Sequence, residues 1–301
     1  VKGLEVKTLE TSNPGNLEPF FLFKIKGGTH PVKFIEALTA AWQKNDSLLC
    51  VGLDSDLEKI PNHLRTARAP LFEFNRAIID STSDLVCAFK PQMAYYAASG
   101  SEHDLELTIA YIHENYPDIP VILDAKRGDI GSTAKMYARE VFDRYGADAV
   151  TVNPYLGGDA LEPFLNRSDK GVIILCRTSN PGATDIQDLE IKGEKLYRVI
   201  ANKAAHEWNR NGNVLLVVGA TYPRELREIR SLVGNMPFLV PGIGTQGGDI
   251  EMAVINGKNR DGTGMIINSS RAVIYADEGK SFAKAARAVA VRLKDEINRY
   301  R

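Results

Sequence analysis

Val121-Ile122-Leu123-Asp124-Ala125-Lys126-Arg127-Gly128-Asp129-Ile130-Gly131-Ser132-Thr133 runs from three apolar residues into a cluster of charges, then into a segment that opens a helical pattern. A buried strand that ends in ionisable groups must pair them with each other or present them to a ligand. Side chains two apart on a strand share a face, so Asp124 and Lys126 are expected together, with Asp129 in the loop beyond. Carboxylate, ammonium and carboxylate then crowd the C-terminal mouth of a strand, where α/β folds place their chemistry. A strand-end salt bridge is the simpler reading of a lone Asp-x-Lys. The rest of the chain decides between the two.

Outward from this stretch, short apolar runs at 48–54, 85–92, 121–126, 149–155, 171–179, 214–221, 238–244 and 265–270 read as strands. Helical patterns alternate with them, among others at 34–42, 71–80, 102–115, 132–145, 193–211, 223–232 and 281–298. Strand and helix repeated about eight times predict an α/β fold of the (β/α)8 TIM barrel type. A doubly wound open sheet is the runner-up, because counting strands does not prove closure. Residues 30–301 are expected to be one barrel domain. Residues 1–29 carry breakers such as Asn13-Pro14-Gly15 and a single apolar cluster, Phe20-Phe21-Leu22-Phe23; they are expected to be an N-terminal arm, disordered or added in cloning.

Of 301 residues, 44% are hydrophobic and 25% charged, enough for a large core. The net charge of −1 gives no reason to expect a nucleic acid or a membrane surface as partner, so any anionic ligand must be held by local arrangement. No apolar run approaches the roughly 18 residues of a membrane span, and no signal-peptide pattern is visible; the expected location is the cytoplasm. Cys50, Cys87 and Cys176, dispersed in apolar runs without ligand spacing, read as reduced core thiols. His30, His63, His103, His113 and His206 are scattered, so neither a metal nor a cofactor is expected. Trp42 and Trp208 lie in helical patterns as core or interface residues.

Each expected strand ends in polar residues, which suggests a lined mouth: Asp54, Lys90 with Gln92, Asp124 with Lys126, Asn153, Thr178 with Ser179, Thr221, Gln246 just beyond its strand, and Ser269-Ser270-Arg271. Val240-Pro241-Gly242-Ile243-Gly244-Thr245-Gln246-Gly247-Gly248-Asp249 and the strand ending at Arg271 resemble an anion site, since barrels that take phosphorylated substrates hold the phosphate after strands seven and eight. Gly242, Gly244 and Gly247 also fit a dinucleotide fingerprint, but no acidic residue closes the following strand to hold a ribose. Lys90 sits inside an apolar strand and needs a carboxylate; in a parallel barrel the strand carrying Asp124 is its neighbour. A Lys90, Asp124, Lys126, Asp129 chain of alternating charge would be a costly way to stabilise a core, which favours function.

The motif Asp124-Ala125-Lys126-Arg127-Gly128-Asp129 resembles the D-x-K-x-x-D signature of the orotidine 5′-monophosphate decarboxylases, in the subgroup with a Lys-Arg-Gly-Asp centre. Leu49-Cys50-Val51-Gly52-Leu53-Asp54, Phe89-Lys90-Pro91-Gln92, Arg177-Thr178-Ser179-Asn180-Pro181-Gly182, Pro241-Gly242-Ile243-Gly244-Thr245-Gln246 and Ser269-Ser270-Arg271-Ala272 match in the same order, over roughly residues 33 to 295. The resemblance implies conversion of orotidine 5′-monophosphate to uridine 5′-monophosphate, the last step of de novo pyrimidine synthesis, without metal or cofactor. It implies that Asp54 and Lys90 hold the ribose hydroxyls, that Lys90 also bridges to Asp124, and that Lys126 protonates C6. Asp129, with Ile130 and Thr133, would come from the partner of a homodimer. Thr178 or Ser179 would bond the pyrimidine, Ser179 being favoured, and Gln246, Ser270 and Arg271 would hold the phosphate end. The role of Gln92 stays open.

Three other readings remain at this point. A sugar-phosphate lyase of the same barrel superfamily would use Mg²⁺. An aldolase would use Lys90 or Lys126 as a Schiff-base nucleophile, against which neighbouring carboxylates argue by raising a lysine's pKa. A catalytically dead phosphate binder would keep the charge cluster for structure alone. For the decarboxylase reading, residues 177–189, bearing proline, glycine and polar residues, are the expected lid.

Overall fold

Runs of Val, Ile and Leu become eight parallel strands: β1 Leu49–Leu53, β2 Ala88–Pro91, β3 Ile122–Arg127, β4 Ala149–Val152, β5 Gly171–Arg177, β6 Val214–Val218, β7 Phe238–Val240 and β8 Met265–Ser269. The computed structural model describes residues 33–243 and 249–301; the expected arm, together with Gly244 and Gln246, lies outside the described residues. The strands hydrogen-bond in the order β2-β1-β8-β7-β6-β5-β4-β3. Parallel bridges Phe89 to Val121 and Gln92 to Asp124 join β2 to β3 and complete the barrel. The open-sheet alternative is thereby excluded.

Helices α1 Phe34–Lys44, α2 Pro70–Thr82, α3 Met93–Ala98, α4 Glu102–Asn115, α5 Gly131–Arg139, α6 Gly158–Leu165, α7 Thr184–Gln187, α8 Leu196–Lys203, α9 Pro223–Val233, α10 Ile250–Gly257, α11 Arg271–Ile274 and α12 Phe282–Arg299 cover the strands. Their start signals are local. Proline occupies the first turn of α2 and α9, and the Asp249 carboxylate accepts the Met252 N–H at the start of α10. In α12, Phe282, Ala286, Ala290, Leu293 and Ile297 fall at helical spacing and are buried, while the charged residues between them face outward.

Two expected helices end differently from their pattern. The 132–145 pattern is α5 followed by a π-helical turn, Glu140–Arg144, and the 193–211 pattern is α8 followed by another, Ala204–Trp208. A wide turn keeps the apolar side inward, with Ala134, Ala138, Val141, Phe142 and Tyr145 all buried, so amphipathicity alone does not reveal it. Expected strands such as 149–155, 171–179, 214–221 and 238–244 overran their C-terminal ends. There the chain leaves the ladder, and the polar residues at those ends lie in loops at the mouth.

At the opposite end, Arg230 donates to the carbonyls of Gly234, Met236, Gly257 and Gly264 and lies 3.8 Å from the Phe238 ring centroid. Burial alone pushes its pKa down to about 10. Cys50, Cys87 and Cys176 are buried free thiols, and Trp42 is in the core.

Candidate active site

Around the mouth, the strand ends and loops enclose a cavity of about 450 Å³ whose two halves differ in chemistry. Asp54, Lys90, Asp124, Lys126 and Thr151, from β1 to β4, make one side; Leu175, Val217, Leu239 and Ile243, from β5 to β7, make the other. Thr178, Ser179, Gly242, Asn268, Ser270 and Arg271 complete the rim. A volume of this order suits a small organic ligand.

Lys90, 3% exposed, reaches Asp124 Oδ2 at 3.1 Å and Asp54 Oδ1 at 3.7 Å. Lys126 Nζ donates to Asp124 Oδ1 at 2.7 Å, as does the Thr151 hydroxyl, also at 2.7 Å. Gln92 Nε2 donates to Asp124 Oδ2 at 3.0 Å. Four donors therefore fill the acceptor positions of one carboxylate and fix its plane. Burial opposes ionisation of Asp124, but Lys90, Lys126 and the hydrogen bonds from Lys126 and Thr151 outweigh it and hold the carboxyl well below the usual range. Burial likewise opposes the charge on Lys90, yet Asp124 and Asp54 overcome it, and the ammonium is held above the usual lysine range. Below them burial pushes the Cys50 thiol up to about 12, against the pull of Lys90, so it stays protonated at neutral pH.

Lys126 reaches this network by an unexpected backbone path. Its φ of +44° lies in the left-handed region that L side chains rarely adopt. Across β3 and β4, Leu123 faces Val150 but Arg127 faces Val152, so four steps of one strand match two of the other. Asp124 and Lys126 do meet, but through this bulge and not through simple alternation. Beyond it, Arg127 makes a paired bond to Glu140 at 2.9 and 2.8 Å, with its guanidinium carbon 4.7 Å from the Tyr137 ring centroid. These contacts brace the turn that carries Asp129.

At the other rim, a Cβ on Gly52 would stand 2.0 Å from Ser270 Oγ and 3.0 Å from Asn268 Oδ1, so only glycine lets β8 bring those side chains in. Asp54 Oδ1 and Asn268 Oδ1 are buried and lack a hydrogen-bond partner among the described residues. Arg271 lines the cavity and is exposed.

The expected lid begins with a residue that is not lid at all. Arg177 is the last residue of β5 and 1% exposed; it reaches Gln187 Oε1 and Asp188 Oδ2, both at 3.3 Å, and stacks 3.9 Å from the Tyr222 ring centroid. Gln187 in turn accepts the Thr178 N–H at 2.9 Å and donates to the Thr178 hydroxyl at 2.8 Å, which itself donates to Asn180 Oδ1. Thr178 is thus engaged within the loop. A Cβ on Gly219 would meet the Ser179 Cα at 2.9 Å, so Ser179 packs directly on the β6 end. Asn180 and Gln187 line both the central cavity and a second, largely apolar cavity of about 620 Å³ on the far side of the loop.

Asp54, Lys90, Asp124, Lys126, Thr178, Ser179, Ser270 and Arg271 therefore line one cavity. Asp129, Ile130 and Thr133 do not line it in this chain; Ile130 and Thr133 are exposed and Asp129 is half-buried. Gln246 lies outside the described residues. Nothing in the sequence singles out Thr151, Gln187 or Asn268. A threonine within a strand and an amide within a loop carry no pattern of their own. Among the described residues no group of three His, Cys, Asp or Glu could hold a metal ion; His113 instead pairs with Asp148 at 2.9 Å.

The profile of the orotidine 5′-phosphate decarboxylase / HUMPS family matches residues 47–286 of this chain. The orotidine 5′-phosphate decarboxylase of Ralstonia nicotianae is 59% identical over 270 residues, covering 90% of this chain and all of the relative. That of Dechloromonas aromatica is 60% identical over 268 residues, covering 89% and 99%. Among solved structures, the OMP decarboxylase of Leishmania donovani superposes with a TM-score of 0.77 at 38% identity, covering 89% of this chain and 98% of the other.

Proposed function

The chain belongs to the orotidine 5′-phosphate decarboxylase / HUMPS family, and from that premise we propose that it converts orotidine 5′-monophosphate to uridine 5′-monophosphate and carbon dioxide in pyrimidine biosynthesis, with Lys126 as the proton donor and no metal or cofactor. The observation that carries the reading is the Lys90, Asp124, Lys126 network at the floor of a cavity whose far rim bears Arg271.

The bond between C6 and the carboxylate breaks, the electron pair stays on C6, and carbon dioxide leaves. Lys126 Nζ then delivers its proton to C6, and water restores the ammonium. Fixed charges supply the stabilisation without reorganising at the moment of reaction. Repulsion between the substrate carboxylate and Asp124 is a minor part: two charges about 4 Å apart at an effective dielectric of about 20 interact by roughly 4 kcal/mol. The largest accelerations need roughly 20 kcal/mol or more. Remote binding at the phosphate end, with Arg271 and Gln246, is the further source, used to close residues 178–189 over the ring. The second cavity borders that loop, lined in part by Gly182, Ala183 and Ile186. Asp54 and Lys90 take the ribose hydroxyls, Ser179 takes the pyrimidine edge, and Leu175, Val217 and Leu239 exclude water from its face.

We further propose a homodimer in which the partner subunit's Asp129, with its Ile130 and Thr133, completes each site. Exposed apolar side chains cluster on the loops and helix that follow the adjacent strands β3 and β4: Ile130 at 59%, Met136 at 51%, Tyr155 at 79% and Leu156 at 46%. Three buried free thiols fit a reducing compartment, the cytoplasm, and no helix of the described residues is long and apolar enough to cross a membrane.

A spectrophotometric assay with orotidine 5′-monophosphate, with and without a chelator, tests the activity. Absence of turnover sinks the reading, and loss of turnover with chelator sinks its cofactor-free form. Mixing inactive Lys126→Ala and Asp129→Ala proteins tests the shared site: a one-to-one mixture of exchanging dimers should recover about a quarter of wild-type activity. No recovery after subunit exchange would remove the proposal that Asp129 crosses between subunits.

A further inference from the structure

The bulge that carries Lys126 has a keystone on the neighbouring strand. Thr151, 1% exposed on β4, uses its one hydroxyl twice. It accepts the Lys126 backbone N–H at 3.0 Å and donates to Asp124 Oδ1 at 2.7 Å. The Lys126 ammonium donates to the same Asp124 oxygen at 2.7 Å. These contacts close a ring from the backbone of Lys126, through Thr151 and Asp124, back to the end of the Lys126 side chain.

Two features make that ring more than an ordinary strand contact. At Lys126 the ladder between β3 and β4 is out of step, and the Lys126 N–H is met by a side chain of β4, the Thr151 hydroxyl. Lys126 also holds a left-handed backbone, a conformation that persists only where its surroundings impose it. Thr151 Oγ1 is the side-chain group bonded to both the strained backbone and the carboxylate that orients the amine. Asp124 Oδ2 is held separately by Lys90 and Gln92, so Thr151 acts on the oxygen nearest the proton donor.

We propose that Thr151 is a positioning residue for decarboxylation: its hydroxyl sets the backbone of the Lys126 bulge and the Asp124 oxygen against which the Lys126 ammonium is aimed. The inference rests on the decarboxylase reading above and deepens it. Thr151 itself touches no reacting atom, so its loss should displace the proton donor without dismantling the ribose and phosphate contacts.

Thr151→Val keeps the shape and removes both bonds; Thr151→Ser keeps the hydroxyl. With orotidine 5′-monophosphate as substrate, Thr151→Val should lower kcat by about a hundredfold, the scale of an ångström-level misplacement of a catalytic group. KM, and the Kd of uridine 5′-monophosphate by calorimetry, should stay within about threefold. Thr151→Ser should restore kcat to within about fivefold of wild type. Should the valine variant fail to fold, as read by its far-UV circular dichroism, Thr151→Ala carries the same comparison; a folded variant that no longer binds the product would count against the inference. Wild-type kcat in valine or alanine, or equal losses in serine and valine, would overturn the inference while leaving the enzyme reading intact. A wild-type protein inactive on this substrate would overturn the reading and, with it, this inference.

Discussion

Replacing Lys90 by methionine removes the cation that Asp54 and Asp124 share at the floor of the barrel. Its Nζ stands 3.1 Å from Asp124 and 3.7 Å from Asp54. At an effective dielectric of about 20, two such contacts amount to about 10 kcal/mol of gross attraction. Returning the ammonium's desolvation offsets several kcal/mol of that, and the expected net loss is about 3 to 5 kcal/mol, the range found when one member of a buried pair is left alone. Against a total stability of about 5 to 15 kcal/mol, this is a large fraction. The cause would be two carboxylates, Asp54 and Asp124, left with only the half-exposed Lys126 as counter-charge, and not a lost contact, so adding Asp124→Asn should help. Lys126, whose side chain is 49% exposed, can turn to water once that carboxylate is gone. The double variant should be more stable than Lys90→Met by about 1 kcal/mol or more, although both should lack activity. Urea midpoints at unchanged slope, with kcat/KM alongside, read both quantities. A double variant less stable than Lys90→Met, with the two losses simply adding, would refute the argument.

Gly52→Ala drives a Cβ into Ser270 and Asn268 and should destabilise the fold by about 1 to 3 kcal/mol; on the proposed placing of the phosphate beside Ser270 and Arg271, calorimetry should show weaker binding of uridine 5′-monophosphate with little change for uridine. The pH dependence of the Lys90 and Asp124 pair follows from their opposite shifts. Lys90 is raised when folded, so its contribution to stability is complete below the unfolded lysine value near ~10.4 and is lost as pH rises through the higher folded value. Asp124 is depressed, so its contribution is present above the unfolded value near ~3.9 and is lost only as pH falls through the lower folded one. The difference in unfolding free energy between wild type and Lys90→Met/Asp124→Asn should therefore be flat from about pH 5 to pH 9; a slope within that window would contradict the assigned shifts.

The barrel was legible because a strand buried on both faces leaves a continuous apolar run, and eight such runs alternate with amphipathic helices. The meeting of Lys90 with Asp124 was legible for the same reason, since order along the chain is order around a parallel barrel. What sequence did not carry was backbone detail. The left-handed turn at Lys126 has no glycine to mark it, and Thr151 looks like any β-branched residue in a strand. Arg177 looked like the first residue of a polar loop, yet Tyr222 and Asp188, far from it or downstream in sequence, make it the buried anchor of that loop. The π-helical turns after α5 and α8 were hidden because they preserve the apolar face.

The account turns on Lys126 as the group that protonates C6. Its most direct test is product formation from orotidine 5′-monophosphate by Lys126→Ala beside the wild type, with uridine 5′-monophosphate affinity measured on both. Wild type should release one uridine 5′-monophosphate and one carbon dioxide per substrate, while Lys126→Ala should bind the product within about tenfold of wild type yet show no turnover above background. Turnover by Lys126→Ala at a rate near wild type would contradict the account.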